Sequence, residues 1–206
     1  VLKSFAFKRD ISVRVNTLKA RVQDMAAVFQ NQGIKAMPVP WCPEGLVLLE
    51  ADPRAVSDTP LVQEGKVYIQ SLSSMLPAVV LGPRPGENIL DLCAAPGSKT
   101  GQMAAMMNNE GWITAVEAVK DRMYKLKSVL SFLGVTNVSI KLMDGRQFRA
   151  QAGLFDKILV DVPCSSEGRF KVSDKKSFQY WSLRKVKEMV QKQRGLLLNA
   201  SRLLKP

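Results

Sequence analysis

Three acids and one thiol stand where a folded chain could put them to chemical use. Glu117, Asp144 and Asp161 lie at or just past the ends of the short apolar runs 112–116, 138–142 and 158–160, and Cys164 follows Asp161 by three residues. Ahead of them lies the stretch 88–101, N-I-L-D-L-C-A-A-P-G-S-K-T-G. There Ile89, Leu90, Leu92 and Cys93 surround Asp91, and the apolar pattern stops at Ala94-Ala95-Pro96-Gly97. A helical segment follows, from Lys99 to about Met107. Strand, tight turn, helix is the order in which an open parallel sheet presents a cofactor loop at its carboxyl edge. Small residues such as Ala94, Ala95 and Gly97 let a ligand approach the backbone, and Pro96 stiffens the turn. The helix start offers unpaired N–H groups to a carboxylate or another anion.

In a parallel sheet every strand's carboxyl end lies on one edge, so the three acids would face one ligand. An acid about 20 residues beyond a glycine turn commonly accepts hydrogen bonds from ribose hydroxyls. Glu117 lies 20 residues beyond Gly97. Asp144 would face an adenine amine or accept neighbouring N–H groups. Singly, each acid is better read as a helix cap or a loop ion pair. Three together, with the glycine turn, favour a nucleoside cofactor. The turn is neither G-x-G-x-x-G nor G-x-x-x-x-G-K-[ST], and one glycine makes a poor pyrophosphate cradle. S-adenosyl-L-methionine, a nucleoside with an amino-acid tail, needs less. Its carboxylate would sit over the helix start, with Lys99 adding positive charge there or pointing to solvent.

The elements that must position these groups alternate. Ile11, Val13 and Val15 alternate with polar residues as in a strand. Thr17 would cap a helix carrying Val22, Met25, Ala26 and Phe29, which Gly33 ends. Residues 37–41, 46–49 and 67–69 read as further strands. Residues 1–68 thus suggest a small α+β domain, with a boundary near 64–70. Residues 71–81 are helical with Pro77 inside, and 82–86, G-P-R-P-G, make a rigid turn. Beyond the first motif come strand 112–116, a helix opened by Asp121 and closed by Gly134, strand 138–142 and strand 158–160. A final helix starts near Ser182, with Val186, Met189, Val190, Leu196 and Leu197 on its apolar face. Residues 69–206 therefore read as an open, mostly parallel α/β sheet.

Composition narrows the partners. The chain has 206 residues, 46% of them hydrophobic, and a net charge of +12. From Arg169 to Pro206 eleven Lys and Arg face two acids, so +9 of the +12 falls in the last 38 residues. A solvated helix face would explain this, but its place beside the strand-end acids favours RNA or DNA contact. Arg14, Asn16 and Lys19 are further candidates for RNA contact, with ordinary surface polarity as the alternative. There is no histidine, and the three cysteines, Cys42, Cys93 and Cys164, form no C-x-x-C pair. This argues against a metal site and excludes His-based catalysis within the chain. Sparse thiols suit a reducing cytoplasm. No signal peptide and no apolar run of transmembrane length are present, so no membrane role is expected. The chain begins at Val1 and stops at Lys205-Pro206, and is expected to be part of something longer.

Two motifs, Leu90-Asp91-Leu92-Cys93-Ala94-Ala95-Pro96-Gly97-Ser98-Lys99-Thr100 and Asp161-Val162-Pro163-Cys164-Ser165-Ser166-Glu167-Gly168, carry a resemblance to a known family. The chain resembles the Sun-type, nucleolar-protein-type RNA cytosine-5 methyltransferases. Arg14-Val15-Asn16-Thr17-Leu18-Lys19 resembles the family's opening motif, and Trp41-Cys42 and 68–74 resemble segments of its bacterial ribosomal members. The resemblance implies a Rossmann-like class I methyltransferase domain, with helices on both faces of its sheet, after a small RNA-guiding domain. It implies methyl transfer from S-adenosylmethionine to carbon 5 of cytosine in RNA, rRNA before tRNA, by a cytoplasmic monomer. Cys93, Ala94, Ala95, Pro96, Gly97, Ser98 and Lys99 would wrap the cofactor. Glu117, where the family often has Asp, would hold the ribose, with Arg122 near the cofactor's edge and Asp144 by the adenine. Asp161 would lie between cofactor and cytosine and help bind the base.

Carbon 5 of cytosine is a weak nucleophile. A thiolate adding at carbon 6 makes an enamine-like ring that takes the methyl group, and an acid near ring nitrogen 3 stabilises the developing charge. A base then removes the carbon-5 proton and the thiolate leaves. Cys164 is the thiol placed for such work, the alternative being a small buried filler. The resemblance implies two cysteines. That of Asp-x-Pro-Cys assists product release, and the nucleophile lies in a Thr-Cys motif after a Leu-Leu-Lys-Pro-Gly-Gly turn. Here Leu203-Leu204-Lys205-Pro206 ends the chain, so the nucleophile is expected just beyond it. DNA cytosine methyltransferases use the Pro-Cys thiol as nucleophile, so the reverse assignment stays open. Ser166 stands where the family has Gly. Cys93 and Cys42 read as structural. The alternatives to this activity are a non-catalytic S-adenosylmethionine- or RNA-binding module without the nucleophile, and a methyltransferase for a small molecule or protein.

Overall fold

The computed structural model describes residues 10–206, which form two four-stranded sheets. The first contains β1 (Ile11–Val15), β2 (Ala36–Val39), β3 (Cys42–Leu48) and β4 (Val67–Ile69), antiparallel in the order β2-β3-β1-β4. Val13, Val15, Leu46, Leu48 and Val67 face Met25 and Phe29 of α1 (Val22–Asn31). That is the core the alternation in β1 predicts. The polar half of the alternation is not solvated, however. Ser12, Arg14 and Asn16 are buried too, because the sheet's second face packs on the next unit. There Val39 and Cys42 meet Met75 of α4 (Leu72–Leu81).

Thr17 does not cap α1. Asn16 O accepts from Lys19 N and Ala20 N, so 16–20 closes a turn of its own, and the helix starts five residues later with Arg21 at the cap. Two short helices, α2 (Pro53–Ser57) and α3 (Pro60–Gln63), fill the connection to β4. Their signal is local and went unread. Asp52 and Thr59 each accept helix-start N–H groups, and each is followed by a proline whose missing donor costs nothing there.

The second sheet is parallel throughout, in the order β7-β6-β5-β8. Its strands are β5 (Asn88–Asp91), β6 (Trp112–Glu117), β7 (Val138–Leu142) and β8 (Lys157–Leu159). From β5 the chain builds outward through β6 to β7, then returns to place β8 on the other side of β5. The crevice at the carboxyl ends of β5 and β8 is thus a switch point, the position at which open α/β sheets hold ligands. Helix α5 (Ser98–Met106) packs closely on α6 (Lys120–Leu133) because Gly101 has no side chain. A Cβ there would lie 2.5 Å from Leu133 Cδ1. Met123, Leu126, Leu130 and Leu133 form the buried face of α6, and Gly134 closes it at φ +77°.

Ser182 caps α7 (Leu183–Leu203), its hydroxyl accepting from Lys185 N. The face that α7 buries matches the expected one in part: Leu196 is buried and Val186 and Met189 are half-buried. Leu196, Asn199, Ala200 and Leu203 are buried, whereas Val190 is 50% and Leu197 63% exposed. Only the carboxyl half of the helix reaches the sheet, and its seat is set by Asn199 Nδ2 donating to Gly145 O and Phe148 O. No helix among the described residues is long and apolar enough to cross a membrane.

The two units are clasped by the residues that had been candidates for RNA contact. Asn16 Nδ2 donates to Gly65 O and to Leu133 O, both at 2.9 Å. Lys19 Nζ donates to Glu64 O at 3.0 Å and Phe132 O at 2.7 Å. Phe132 and Leu133 end α6, whose last carbonyls lack helical partners and carry the negative end of its dipole. Arg14 Nε donates to Gln70 Oε1, Gln70 Nε2 to Gln102 Oε1 on α5, and Gln102 Nε2 to Met75 O. Arg14 and Asn16 are buried between the units and Lys19, though exposed, is engaged by two backbone carbonyls, so their structural role is the clasp; this corrects the reading of buried Arg14 and Asn16 as RNA contacts.

Candidate active site

An open cleft of about 720 Å³ lies at the carboxyl ends of β5, β6 and β8. Cys93, Ala95, Pro96 and Lys99 enter it from the turn after β5, Glu117 and Arg122 from beyond β6, Asp144 from beyond β7, and Asp161 and Cys164 from beyond β8. Ala94, Gly97 and Ser98 stand behind this lining. Ala94 packs against Leu126 and Leu130 in the core. Gly97 caps α5 at φ +108°, with Leu126 Cδ1 only 3.0 Å from where a Cβ would be. Its glycine answers both a left-handed backbone and the closeness of α6. Ser98 is the first residue of α5.

Glu117 organises the turn. It is 3% exposed, and its carboxylate accepts from Ala95 N at 3.3 Å and Val119 N at 3.0 Å. Arg122 Nη1 lies 3.5 Å from it, and Arg122 Nη2 donates to Ala95 O at 2.7 Å. Acid and guanidinium thus hold the Ala95 peptide from both its N–H and its C=O. Oε1 faces both Val119 N and Arg122 Nη1, whereas Oε2, with Ala95 N as its partner, keeps a lone pair for a donor in the cleft.

Asp144 accepts from the Arg146 backbone N–H at 2.9 Å and from its guanidinium at 2.6–3.1 Å. The Arg146 bonds hold its carboxyl below the usual range. Of the two expectations for Asp144, the structure displays the acceptance of neighbouring N–H groups. Lys99, in the first turn of α5, does not point to solvent. Its ammonium sits 2.7 Å from Asp161 Oδ2 and donates to Ser74 Oγ at 3.1 Å. It is the positive member of a pair across the mouth of the crevice, 15% exposed against 47% for Asp161.

Beneath the turn lies an acid that sequence reasoning left unassigned. Asp91 is 1% exposed and accepts from Thr100 Oγ1 at 2.8 Å and Cys93 N at 3.4 Å. Burial pushes its carboxyl up to about 6, with the Asp161 charge adding to this and the two hydrogen bonds opposing it. A charge-bearing residue inside an apolar strand run was the available signal.

The three thiols separate by environment. Burial pushes Cys93 up to about 12, with Asp91, Glu117 and Asp161 reinforcing it. Burial and Glu44 push Cys42 up to about 11. Both are held as protonated fillers, whereas Cys164 is exposed at the cleft. Its loop is tethered at several points. Gln193 Nε2 of α7 donates to Pro163 O at 3.0 Å. Glu167 accepts from Ser165 Oγ at 2.6 Å and from Trp181 Nε1 at 2.7 Å. Between them Ser166 takes φ +70°, a conformation that glycine adopts freely and serine does not. Gln193 and Trp181 carry no local signal of this role, because their partners lie 30 and 14 residues away.

Comparison with known proteins agrees with this geometry. A family model described as 16S rRNA methyltransferase RsmB/F matches residues 78–206, which hold every cleft acid and both motifs. The chain belongs to the RsmB/F methyltransferase family. A second model, the N-terminal domain of 16S rRNA methyltransferase RsmF, matches residues 1–72. Ribosomal RNA small subunit methyltransferase F of Pectobacterium atrosepticum is 43% identical, over 95% of this chain and 41% of its own length. A 28S rRNA (cytosine-C(5))-methyltransferase of Mus musculus is 42% identical, over 78% of this chain and 20% of its own. The chain thus spans about two fifths of the bacterial relative and a fifth of the mouse one. Among solved structures, a methyltransferase homolog from Pyrococcus horikoshii superposes with a TM-score of 0.84 at 34% identity, covering 99% of this chain and 64% of that one. NSun6 from Pyrococcus horikoshii, solved with SFG, has the same fold, with a TM-score of 0.84 at 22% identity over 100% of this chain and 75% of its own. RsmB/F membership accounts for the pairing of a small antiparallel unit with a parallel sheet.

Proposed function

We propose that this chain is the cofactor- and base-binding part of an S-adenosylmethionine-dependent rRNA cytosine-5 methyltransferase. The observation that carries the reading is the convergence of the 93–99 turn, Glu117 and the Asp161–Cys164 corner on one cleft. The residues present fit an adenosyl group. Glu117 Oε2 has a free lone pair beside a turn of small residues, and the α5 start lies behind it. When bound, S-adenosylmethionine supplies an electrophilic methyl group. Cys93 to Lys99 would wrap it, Glu117 would accept from the ribose hydroxyls, Arg122 would lie at its edge, and Asp144 would stand by the adenine. Residues 1–68 would guide RNA to the domain formed by 69–206.

The chain's own acid and thiol then act on the base. Asp161, at the mouth and paired with Lys99, would hold the cytosine ring near nitrogen 3, where charge develops. Lys99 keeps that carboxylate oriented. Cys164 would assist release of the methylated base after a thiolate has added at carbon 6. None of the three cysteines follows a threonine, so the attacking Thr-Cys thiol implied by the resemblance is not one of them. A cytoplasmic monomer is the setting that goes with this reading.

Two measurements test the proposal. Calorimetric titration with S-adenosylhomocysteine is expected to show binding, weakened about 10-fold or more by Glu117→Ala through loss of charge-assisted hydrogen bonds. Incubation with 5-fluorocytosine RNA and S-adenosylmethionine is expected to give no covalent adduct. An adduct that Cys164→Ser abolishes would make Cys164 the nucleophile and reverse the thiol roles. Absence of cofactor binding would overturn the reading of the cleft.

A further inference from the structure

Between β8 and α7 the chain builds a lip, 170–182, that the chemistry above does not use. Its base is a packed aromatic group. Phe170 meets Phe178 at 5.9 Å between ring centroids, and the edge of Trp181 at 6.5 Å. Trp181 is anchored to Glu167, which also accepts from Ser165, the neighbour of Cys164. The lip is thus tied to the loop that forms one wall of the cleft. Its tip is ordered by its own polar groups: Asp174 caps the 175–177 turn, and Ser177 Oγ accepts from Lys171 N and donates to Asp174 O.

On this frame one aromatic ring is left over. Tyr180 is 77% exposed, while Phe178 and Trp181, at 40% each, are engaged with the cluster. Within nine residues of it in the chain Lys171, Lys175, Lys176 and Lys185 are exposed, and none has a carboxylate within ion-pair distance among the described residues. The nearby acids are already engaged, Asp174 with Lys176 N and Glu188 with Arg184. An exposed ring among unpaired cations suits a single-stranded nucleic acid, whose bases stack while its phosphates are neutralised. With no carboxylate of the chain paired to these lysines, whatever covers them must bring closely spaced negative charge, which a phosphate backbone carries at every nucleotide.

We propose that this lip is a single-stranded RNA platform: Tyr180 stacks on a nucleotide flanking the target cytosine, and Lys171, Lys175 and Lys176 neutralise its phosphates. The inference rests on the RNA reading of the site and adds to it the surface that holds the strand open. Stacking reads no base edge, so the platform tolerates any neighbour of the target.

The test uses the whole chain and a short single-stranded RNA with one 2-aminopurine beside the cytosine. Tyr180→Ala is expected to weaken binding about 10-fold and to abolish the change in 2-aminopurine fluorescence. Tyr180→Phe is expected to keep both within about twofold, because the π-face is retained. The double variant Lys175→Gln/Lys176→Gln is expected to make the plot of log affinity against log salt shallower by about 1.4, and Tyr180→Ala to leave that slope unchanged. Wild-type affinity in Tyr180→Ala, or equal loss in the Ala and Phe variants, would overturn the proposal. So would absence of salt-dependent RNA binding by the wild type. Titration with S-adenosylhomocysteine separates these failures from failure of the cleft reading, since the lip lies outside the adenosyl-binding residues.

Discussion

Replacing Asp91 by Asn is expected to remove a pH-dependent cost from the folded state. The Asp91 carboxyl is buried under the turn and pushed from its ordinary 3.8 up to about 6, chiefly by burial. In the unfolded chain it returns to the ordinary value. An acid whose folded pKa is raised favours folding fully below pH 4, and that contribution is lost as the pH climbs through 6. Between pH 4 and pH 7 the loss amounts to about 2–3 kcal/mol. Asparagine has no charge to desolvate. Its oxygen can still accept from Thr100 Oγ1, but its amide brings two donors without a partner and leaves Cys93 N–H without its acceptor, about 2–3 kcal/mol at every pH alike. The assay is urea unfolding of both proteins at pH 4 and pH 7. The difference in stability between variant and wild type should move by about 2–3 kcal/mol in favour of the variant as the pH rises. With a urea slope of about 2 kcal/mol/M this is a relative midpoint shift of about 1 M. A difference that stays constant would mean that Asp91 ionises as it does in water. The inference from burial would then be wrong, and the floor of the cleft would be wet.

Two further outcomes follow from the same contacts. Asn16→Ala deletes two buried donors, to Gly65 O and Leu133 O, and should cost about 2–3 kcal/mol in urea unfolding at pH 7, with faster proteolysis at 64–71 as the clasp loosens; an unchanged protein would show that Lys19, the Gln70–Gln102 bond and the seam around Met75 hold the two units without Asn16. A thiol reagent at pH 8 should modify one cysteine fast in the native chain, lost in Cys164→Ser, because Cys42 and Cys93, held near 11 and 12, are about a thousandth ionised or less; two thiols reacting at similar rates would contradict this.

The strands were legible because each is an apolar run bounded by turn residues, and the cleft acids because each ends such a run. Val13, Val15 and Leu90 reveal their burial by pattern alone. Less legible were groups whose partners are distant in sequence. The clasp made by Asn16 and Lys19 needs the end of α6, more than 110 residues away. Lys99 had two readings, charge at the helix start or a side chain in solvent, and only the approach of β8 to β5 brings Asp161 within 2.7 Å of it. On α7 the periodicity marks apolar positions but not which half of the helix meets the sheet, so Val190 and Leu197 were assigned to a face that remains exposed.

By itself the sequence determined the order of strands and helices, the glycine turn with its strand-end acids, and the basic character of the last 38 residues. These are properties of local spacing and charge, and local spacing survives without a fold. The tertiary structure alone decided that the polar side of β1 is an interface, that Asp91 is a raised acid under the turn, and that Tyr180 stands clear of its aromatic neighbours. Each of those depends on which surfaces meet, and a single strand or helix carries no record of what will cover its second face.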